Sequence, residues 1–277
     1  MKHELKIVVI LVTLFLASQF IGLGVISGYL DEETTKETGN VTWEKLPTIA
    51  NVQIERPELE EETSYIPIMI SVLIATILFI ILMKLKLLRV WKLWFFIGIT
   101  FTLLIAFGSF LQGFIAFILA IILAILKIFK PNVYIHNFTE LFTYGGLAAI
   151  FVPVLNVLSV TILLIAISIY DMIAVWKTKH MVSMAKFQAK AKIFAGLLIP
   201  YKKGRTAVLG GGDIGFPLLF SGVILKTNDF LSASIVILSV AIALLLLFIF
   251  GKKDKFYPAM PYLTGGCFAG YLITLLI

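Results

Sequence analysis

The sequence predicts an all-α integral membrane protein, a single polytopic bundle of nine transmembrane helices over residues 1–277. Three observations predict it. First, 60% of the 277 residues are hydrophobic and 14% are charged, whereas soluble domains run near 45–50% apolar and about 25% charged. Second, apolar stretches recur at one or two times the roughly 20 residues that cross a bilayer. Third, the loops between them alternate between basic and acidic or uncharged. Soluble globular, disordered and disulfide-knit classes are excluded. The one cysteine, Cys267, allows neither an internal disulfide nor a CxxC metal site. A net charge of +7 reads as cytoplasmic loops of a membrane protein, not as nucleic-acid binding.

The first span covers 7–30. It is too long for a signal-peptide core and lacks a small-x-small cleavage site, so it reads as an uncleaved span. Residues 31–65 form an outer loop with ten acids against three bases. The second span, 66–83, is followed by Lys84, Lys86, Arg89 and Lys92. The 34 uncharged residues 93–126 exceed one crossing and divide around Gly108, Gln112 and Gly113 into spans 93–110 and 111–129. Lys127 and Lys130 close that hairpin. The stretch 141–176 holds one charge, Asp171, and is again double length. It divides into spans 138–155 and 157–176, with a turn at Pro153 to Asn156.

A loop over 177–205 carries eight bases and no acid. Spans 206–225, 230–250 and 257–277 complete the set, the last two separated by Lys252, Lys253, Asp254 and Lys255. With Lys2 and Lys6 at the start, the bases fall on alternate sides, which puts the N-terminus in the cytoplasm and the C-terminus outside. Trp91, Trp94 and Trp176 fall at cytoplasmic span ends, as interfacial anchors should. The 23 Phe read as lipid-facing and packing residues. The segment from Lys177 to Lys203 reads as an amphipathic stretch on anionic lipid. The alternative is that part of it pairs with an extended peptide as a strand edge.

Of the sixteen acids, ten lie in the outer loop, and Glu4, Glu140, Asp229 and Asp254 are assigned to span ends or short turns. Asp171 and Asp213 remain, inside hydrophobic spans. Such residues cost a few kcal/mol on insertion scales and usually mark functional sites. No Lys, Arg or His is assigned to the interior of a span to pair with them, since Lys127 closes a span end and His3, His136 and His180 fall in flanks or loops. At 1.5 Å per residue they lie roughly 9 Å and 12 Å from the same cytoplasmic flank. Two carboxyls that share a site cannot both ionise easily, so one keeps a proton while the other acts as base. That arrangement can activate water against a peptide carbonyl. Beside Asp213, the run Gly210-Gly211-Gly212 lets another backbone come close; the same run also suits helix packing.

These residues resemble a family. Tyr170-Asp171 is similar to the YD motif, and Gly210 to Asp213 to the GxGD motif, of presenilins and signal peptide peptidases, the intramembrane aspartyl proteases. Their Pro-Ala-Leu motif at the start of the ninth span has two registers here. Pro258-Ala259-Met260 keeps its first two residues and Pro261-Tyr262-Leu263 keeps the proline and leucine; the second, nearer Gly265-Gly266, is favoured. The resemblance covers the whole chain. It implies that Asp171 and Asp213 are catalytic. It also implies that Tyr170, Gly210, Gly211, Gly212, Pro261, Tyr262 and Leu263 border the substrate, and that no cofactor is needed. Substrates would be transmembrane helices of other proteins in the lipid bilayer; homo-oligomerisation stays open. The cytoplasmic N-terminus agrees with presenilins rather than signal peptide peptidases. The short connection before the seventh span and the lack of a long soluble tail imply a single uncut chain from a prokaryotic, archaeal membrane.

Other chemistries fit less well. A rhomboid needs Ser with a His at membrane depth, and a site-2 metalloprotease needs HExxH. No metal, haem or nucleotide motif is present, and Cys267 reads as a packing residue. A prepilin-type GxGD peptidase or a proton- or cation-coupled transporter using paired carboxylates stays as the alternative.

Overall fold

In lipid a backbone must satisfy its own polar groups, and a helix does so within one segment. The computed structural model, which describes residues 5–49, 52–178, 180–191, 193–202, 205–251 and 257–277, is accordingly mostly helical. Helix α1 (Leu5–Ser27) leads into the acidic loop, which contains a short helix α2 (Glu32–Thr38) and the two-residue strands β1 (Thr48–Ile49) and β2 (Val52–Gln53). Helices α3 (Tyr65–Lys84), α4 (Leu88–Gly108), α5 (Gly113–Phe129), α6 (Val133–Phe151) and α7 (Val157–Met172) follow. A π-helical turn, Ile173–Lys177, prolongs α7. Next come α8 (His180–Ala191), a hairpin of β3 (Gly196–Lys202) and β4 (Arg205–Gly210), and helices α9 (Gly211–Thr227), α10 (Phe230–Phe250) and α11 (Met260–Thr274).

Each of the nine expected segments carries one of these helices. Five are long and apolar enough to cross a membrane: α1, α3, α4, α7 with its π turn, and α10; α5 is a shorter apolar helix. Local chemistry sets the breaks. Gly108 ends α4 and Gln112 caps α5. Asn156 and Ser159 form a reciprocal capping box at the start of α7, with bonds of 2.8 and 2.9 Å. Asp229 Oδ1 accepts from Ser232 N at 2.7 Å to start α10, which holds its carboxyl below the usual carboxylate range.

Helix α9 lies at the centre, packed against α1, α6, α7, α10 and α11. Its buried face, including Leu218, Phe220 and Val223, shares one core with Leu11, Phe15 and Leu23 of α1. Helix α11 seats closely on α10. A Cβ at Gly266 would stand 2.9 Å from the Val240 Cα, and one at Gly270 2.7 Å from the Val236 Cα. This is the small-residue spacing that lets membrane helices approach. At the end of α9 away from Asp213, Lys226 Nζ reaches Glu61 Oε1 at 2.6 Å and the carbonyls of Pro153 and Leu155 at 3.1 Å. One side chain thus gathers the α6–α7 turn, the end of α9 and the acidic loop. Arg56 also ties that loop down, donating from Nε to the Ala149 carbonyl at 3.1 Å.

The structure departs from the expectations in several places. The segment 206–225 is not helical throughout: residues to Gly210 are strand, and the helix begins at Gly211. Glycine favours this, because it is about 1 kcal/mol worse than Ala inside a helix. The basic segment is a helix followed by a hairpin, so the membrane-surface reading applies at most to α8. Lys127, in the last turn of α5, pairs with Glu140, which is inside α6 and not at its end. A buried base therefore does have an acid partner among the helices. His136 is likewise buried within α6. Trp91 is buried against Phe79 and Phe95 and is no interfacial anchor; Trp94 and Trp176 are exposed. Lys2, Glu4 and Lys252 to Lys255 lie outside the described residues.

Candidate active site

Asp171 sits in the last turn of α7 and is 4% exposed. The π turn begins two residues later, a local widening often found at functional sites. Asp171 Oδ2 accepts from the backbone N–H of Met260 at 3.1 Å. Met260 is the first residue of α11, so the carboxylate stands at a helix N-terminus, where free N–H groups and the helix dipole favour negative charge. One turn deeper, Ser168 and Thr264 share a hydrogen bond of 2.8 Å. Together these contacts fasten α7 to α11.

Asp213 lies in the first turn of α9, again at the end of a helix where a carboxylate is favoured. Its carboxyl folds back toward the preceding glycines: a Cβ on Gly210 would stand 3.1 Å from Asp213 Oδ2. The three glycines differ in their surroundings. A Cβ at Gly211 would stand 2.6 Å from the Tyr144 hydroxyl, whereas one at Gly212 would meet only Phe216, at 3.6 Å. Gly212 is exposed beside the half-buried Asp213. The turn is tethered from α1, where Gln19 Nε2 donates to the Ile214 carbonyl at 2.9 Å. Helices α7 and α9 pack together, and each carries its aspartate near the end that adjoins the segment 177–205.

The other expected residues are less uniform. The Tyr170 hydroxyl donates to Thr76 Oγ1 at 3.0 Å and meets His180 Nε2 at 3.1 Å, so it links α7 to α3 and α8. Of the two proline registers, 258–260 is the one whose backbone touches Asp171, through Met260. Pro261, Tyr262 and Leu263 occupy the first turn of α11. Leu263 is buried. Tyr262 lines a cleft of about 230 Å³ with Phe250 and Tyr257, whose walls include neither aspartate.

The hairpin beside the glycines went unread in the sequence. Strands β3 and β4 are antiparallel and pair Gly196 with Gly210 and Leu198 with Val208. The outer edge of β3 is already occupied by α6. Asn137 bonds both backbone groups of Leu198, at 2.7 and 2.9 Å, while His136 and Glu140 hold those of Gly196. Two short apolar runs, Leu197 to Ile199 and Ala207 to Leu209, separated by a polar stretch with a glycine, were the available signal, hidden by the surrounding bases. Among the described residues, no group of three or more His, Cys, Asp or Glu could hold a metal ion.

A sequence profile described as "Signal-peptide peptidase, presenilin aspartyl protease" matches residues 48–277. Two solved structures, both of a presenilin family intramembrane aspartate protease, share the fold. One, in space group C222, aligns with a TM-score of 0.65 and 17% identity over 98% of this chain and 99% of its own. The other, in space group P2, gives 0.61 and 19% over 96% and 97%. No curated protein sequence matches the chain.

Proposed function

The chain belongs to the family of signal-peptide peptidases and presenilin aspartyl proteases, and from that premise we propose that it hydrolyses peptide bonds in the membrane helices of other proteins, with Asp171 and Asp213 as an acid–base pair. The observation that carries the reading is the placement of each aspartate at a helix N-terminus, Asp171 on α11 through Met260 and Asp213 in the first turn of α9. Both lie near the ends of adjoining helices that pack together. One carboxylate takes a proton from water as it attacks the peptide carbonyl, and the other carboxylic acid protonates the leaving amide.

All nine segments span the bilayer in this reading, with the N-terminus cytoplasmic and the C-terminus outside. Helices α6, α9 and α11 cross beside the more apolar ones they pack against. The gathering of Glu61, Lys226 and the Pro153 turn at one end supports the alternation, since the basic connections then share the opposite end.

A helical substrate must unwind locally to be cut, and its freed backbone needs polar partners that lipid cannot supply. The outer edge of β4, next to Gly210 and Gly212, supports this role, because α6 already fills the outer edge of β3. Met260, in the register Pro258 to Met260, supports a border to the same space, since its N–H reaches Asp171.

The test is cleavage of a single-span peptide by the purified protein in detergent. The wild type is expected to cut with a bell-shaped pH profile whose two apparent values belong to the pair. Asp171→Asn and Asp213→Asn are each expected to lose at least about 100-fold. Full activity in either variant removes that residue from the mechanism.

A further inference from the structure

Glu140 and Lys127 are 1% and 2% exposed, and the protease reading leaves both without a task. A buried ion pair is costly to assemble, and apolar residues of similar volume often pack as well. The pair therefore calls for a reason beyond filling space, and its connections supply one.

One oxygen of Glu140 accepts from Lys127 Nζ. The other, Oε2, accepts from the Tyr144 hydroxyl and from the backbone N–H of Gly196, the latter at 2.8 Å. His136, one turn earlier on α6, completes the grip by donating from Nε2 to the Gly196 carbonyl at 2.8 Å. Gly196 has φ of +136°, a conformation that side chains oppose. A Cβ there would stand 2.1 Å from the Leu209 carbonyl oxygen and 3.0 Å from Gly211 N. Gly196 lies opposite Gly210 in the hairpin, and Gly211 N–H donates to the neighbouring Ala195 carbonyl at 3.0 Å. The Tyr144 ring presses on Gly211 from the other side. Through Gly196 and Tyr144, one carboxylate thus holds both sides of the glycine turn that precedes Asp213.

We propose that Glu140, paired with Lys127, is a positioning residue for Asp213, locking the strand-to-helix junction of Gly196, Gly210 and Gly211 from helix α6. It touches neither substrate nor the reacting atoms. This rests on the protease reading for its consequence but not for its geometry. A carboxylate is needed because two donors converge on a single oxygen while a third takes the other; an amide offers one acceptor oxygen only. Lys127 supplies the donor to the remaining carboxylate oxygen.

The test compares wild type with the double variant Lys127→Met/Glu140→Gln, which removes both charges and leaves no buried ion alone. Two readouts are taken on the full chain in detergent: amide hydrogen exchange over residues 195–213, and cleavage of a single-span peptide. The expected result is exchange over 195–213 faster by about 10-fold or more, with α10 and α11 unchanged. With it goes a kcat lower by about 10-fold or more at a KM within about twofold; a merely structural pair would leave that split unmoved. Tyr144→Phe, which removes one donor and leaves the pair intact, is expected to fall between the two. Wild-type exchange over 195–213, or wild-type kcat in a double variant that melts where the wild type does, overturns the proposal. If the double variant fails to fold, Tyr144→Phe decides by the same readouts. If the wild type itself cuts nothing, the protease reading fails, and exchange alone decides whether Glu140 locks the turn.

Discussion

Helices α3 and α9 are both apolar, and they do opposite things with it. Only Ile68, Phe79 and Leu82 are buried along the twenty residues of α3, while Ile70, Ile74, Ile77 and Ile81 face outward. On α9, nearly every residue from Ile214 to Leu225 is buried. Lipid tails are as apolar as leucine, so α3 needs no shape fit to sit in a bilayer. Helix α9 meets five other helices at once and must fit all of them. Hydropathy therefore marks the periphery best. The helices α6, α9 and α11, which surround the aspartates, fall outside the set that length and composition alone single out as spanning. They are shortened by glycine and non-helical entry segments, or diluted by polar residues such as His136, Thr139 and Glu140.

The contrast can be broken by truncation. Phe220→Ala, in the fully buried centre of α9, is expected to cost about 3 kcal/mol or more, read as a lower melting temperature in detergent. The cavity cost survives in lipid even though the transfer cost does not. A loss below 1 kcal/mol would mean that α9 is as loosely fitted as α3.

Within α9 the same contrast recurs between neighbouring glycines. Gly211→Ala drives a methyl onto the held Tyr144 hydroxyl and is expected to destabilise by about 1–3 kcal/mol. Gly212→Leu meets only the Phe216 ring, at ordinary contact distance, and stands exposed beside Asp213. It is expected to melt as the wild type does and to lose cleavage by about 10-fold, because the side chain occupies the approach for substrate. Equal activity in Gly212→Leu would remove that face from the substrate path.

A smaller effect is expected where α8 joins α7. His180 is partly buried, with Nδ1 and the Thr178 hydroxyl 2.6 Å apart, and burial holds its pKa below the usual histidine value. Its neutral form is the one that suits the fold. The stability it contributes is complete above the unfolded value of about 6.5 and is lost as pH falls below that value. Between pH 7.5 and 5.5 the wild type should lose about 1 °C more in melting temperature than His180→Gln. An identical drop in both would show that this contact carries no proton linkage. The smallest effect belongs to α3: Ile74→Ala, on its outward face, should shift stability by less than about 0.5 kcal/mol.

Much of this was legible in one dimension. Residues 93–126 contain no charge and are too long for one crossing, and the break falls at Gly108 to Gln112 as the glycines imply. Asp171 and Asp213 stood out because a carboxyl in an apolar run is conspicuous without any partner in view. Nearness to Gly265-Gly266 favoured the register 261–263, and only the fold brings Met260 N–H, of the other register, to Asp171 across 89 positions.

What the sequence by itself determined is where most of the helices lie and that Asp171 and Asp213 interrupt apolar runs, because transfer to lipid acts residue by residue along the chain. Lys127 looked like a loop base and Glu140 a helix-end acid by that reckoning, as each charge was weighed alone. The tertiary structure alone decided that they neutralise each other and grip Gly196, 56 positions beyond Glu140. It also decided that Gly210 belongs to a strand and Gly211 to a helix, because hydrogen bonds across a hairpin and the press of Tyr144 depend on distances in space that no local pattern encodes.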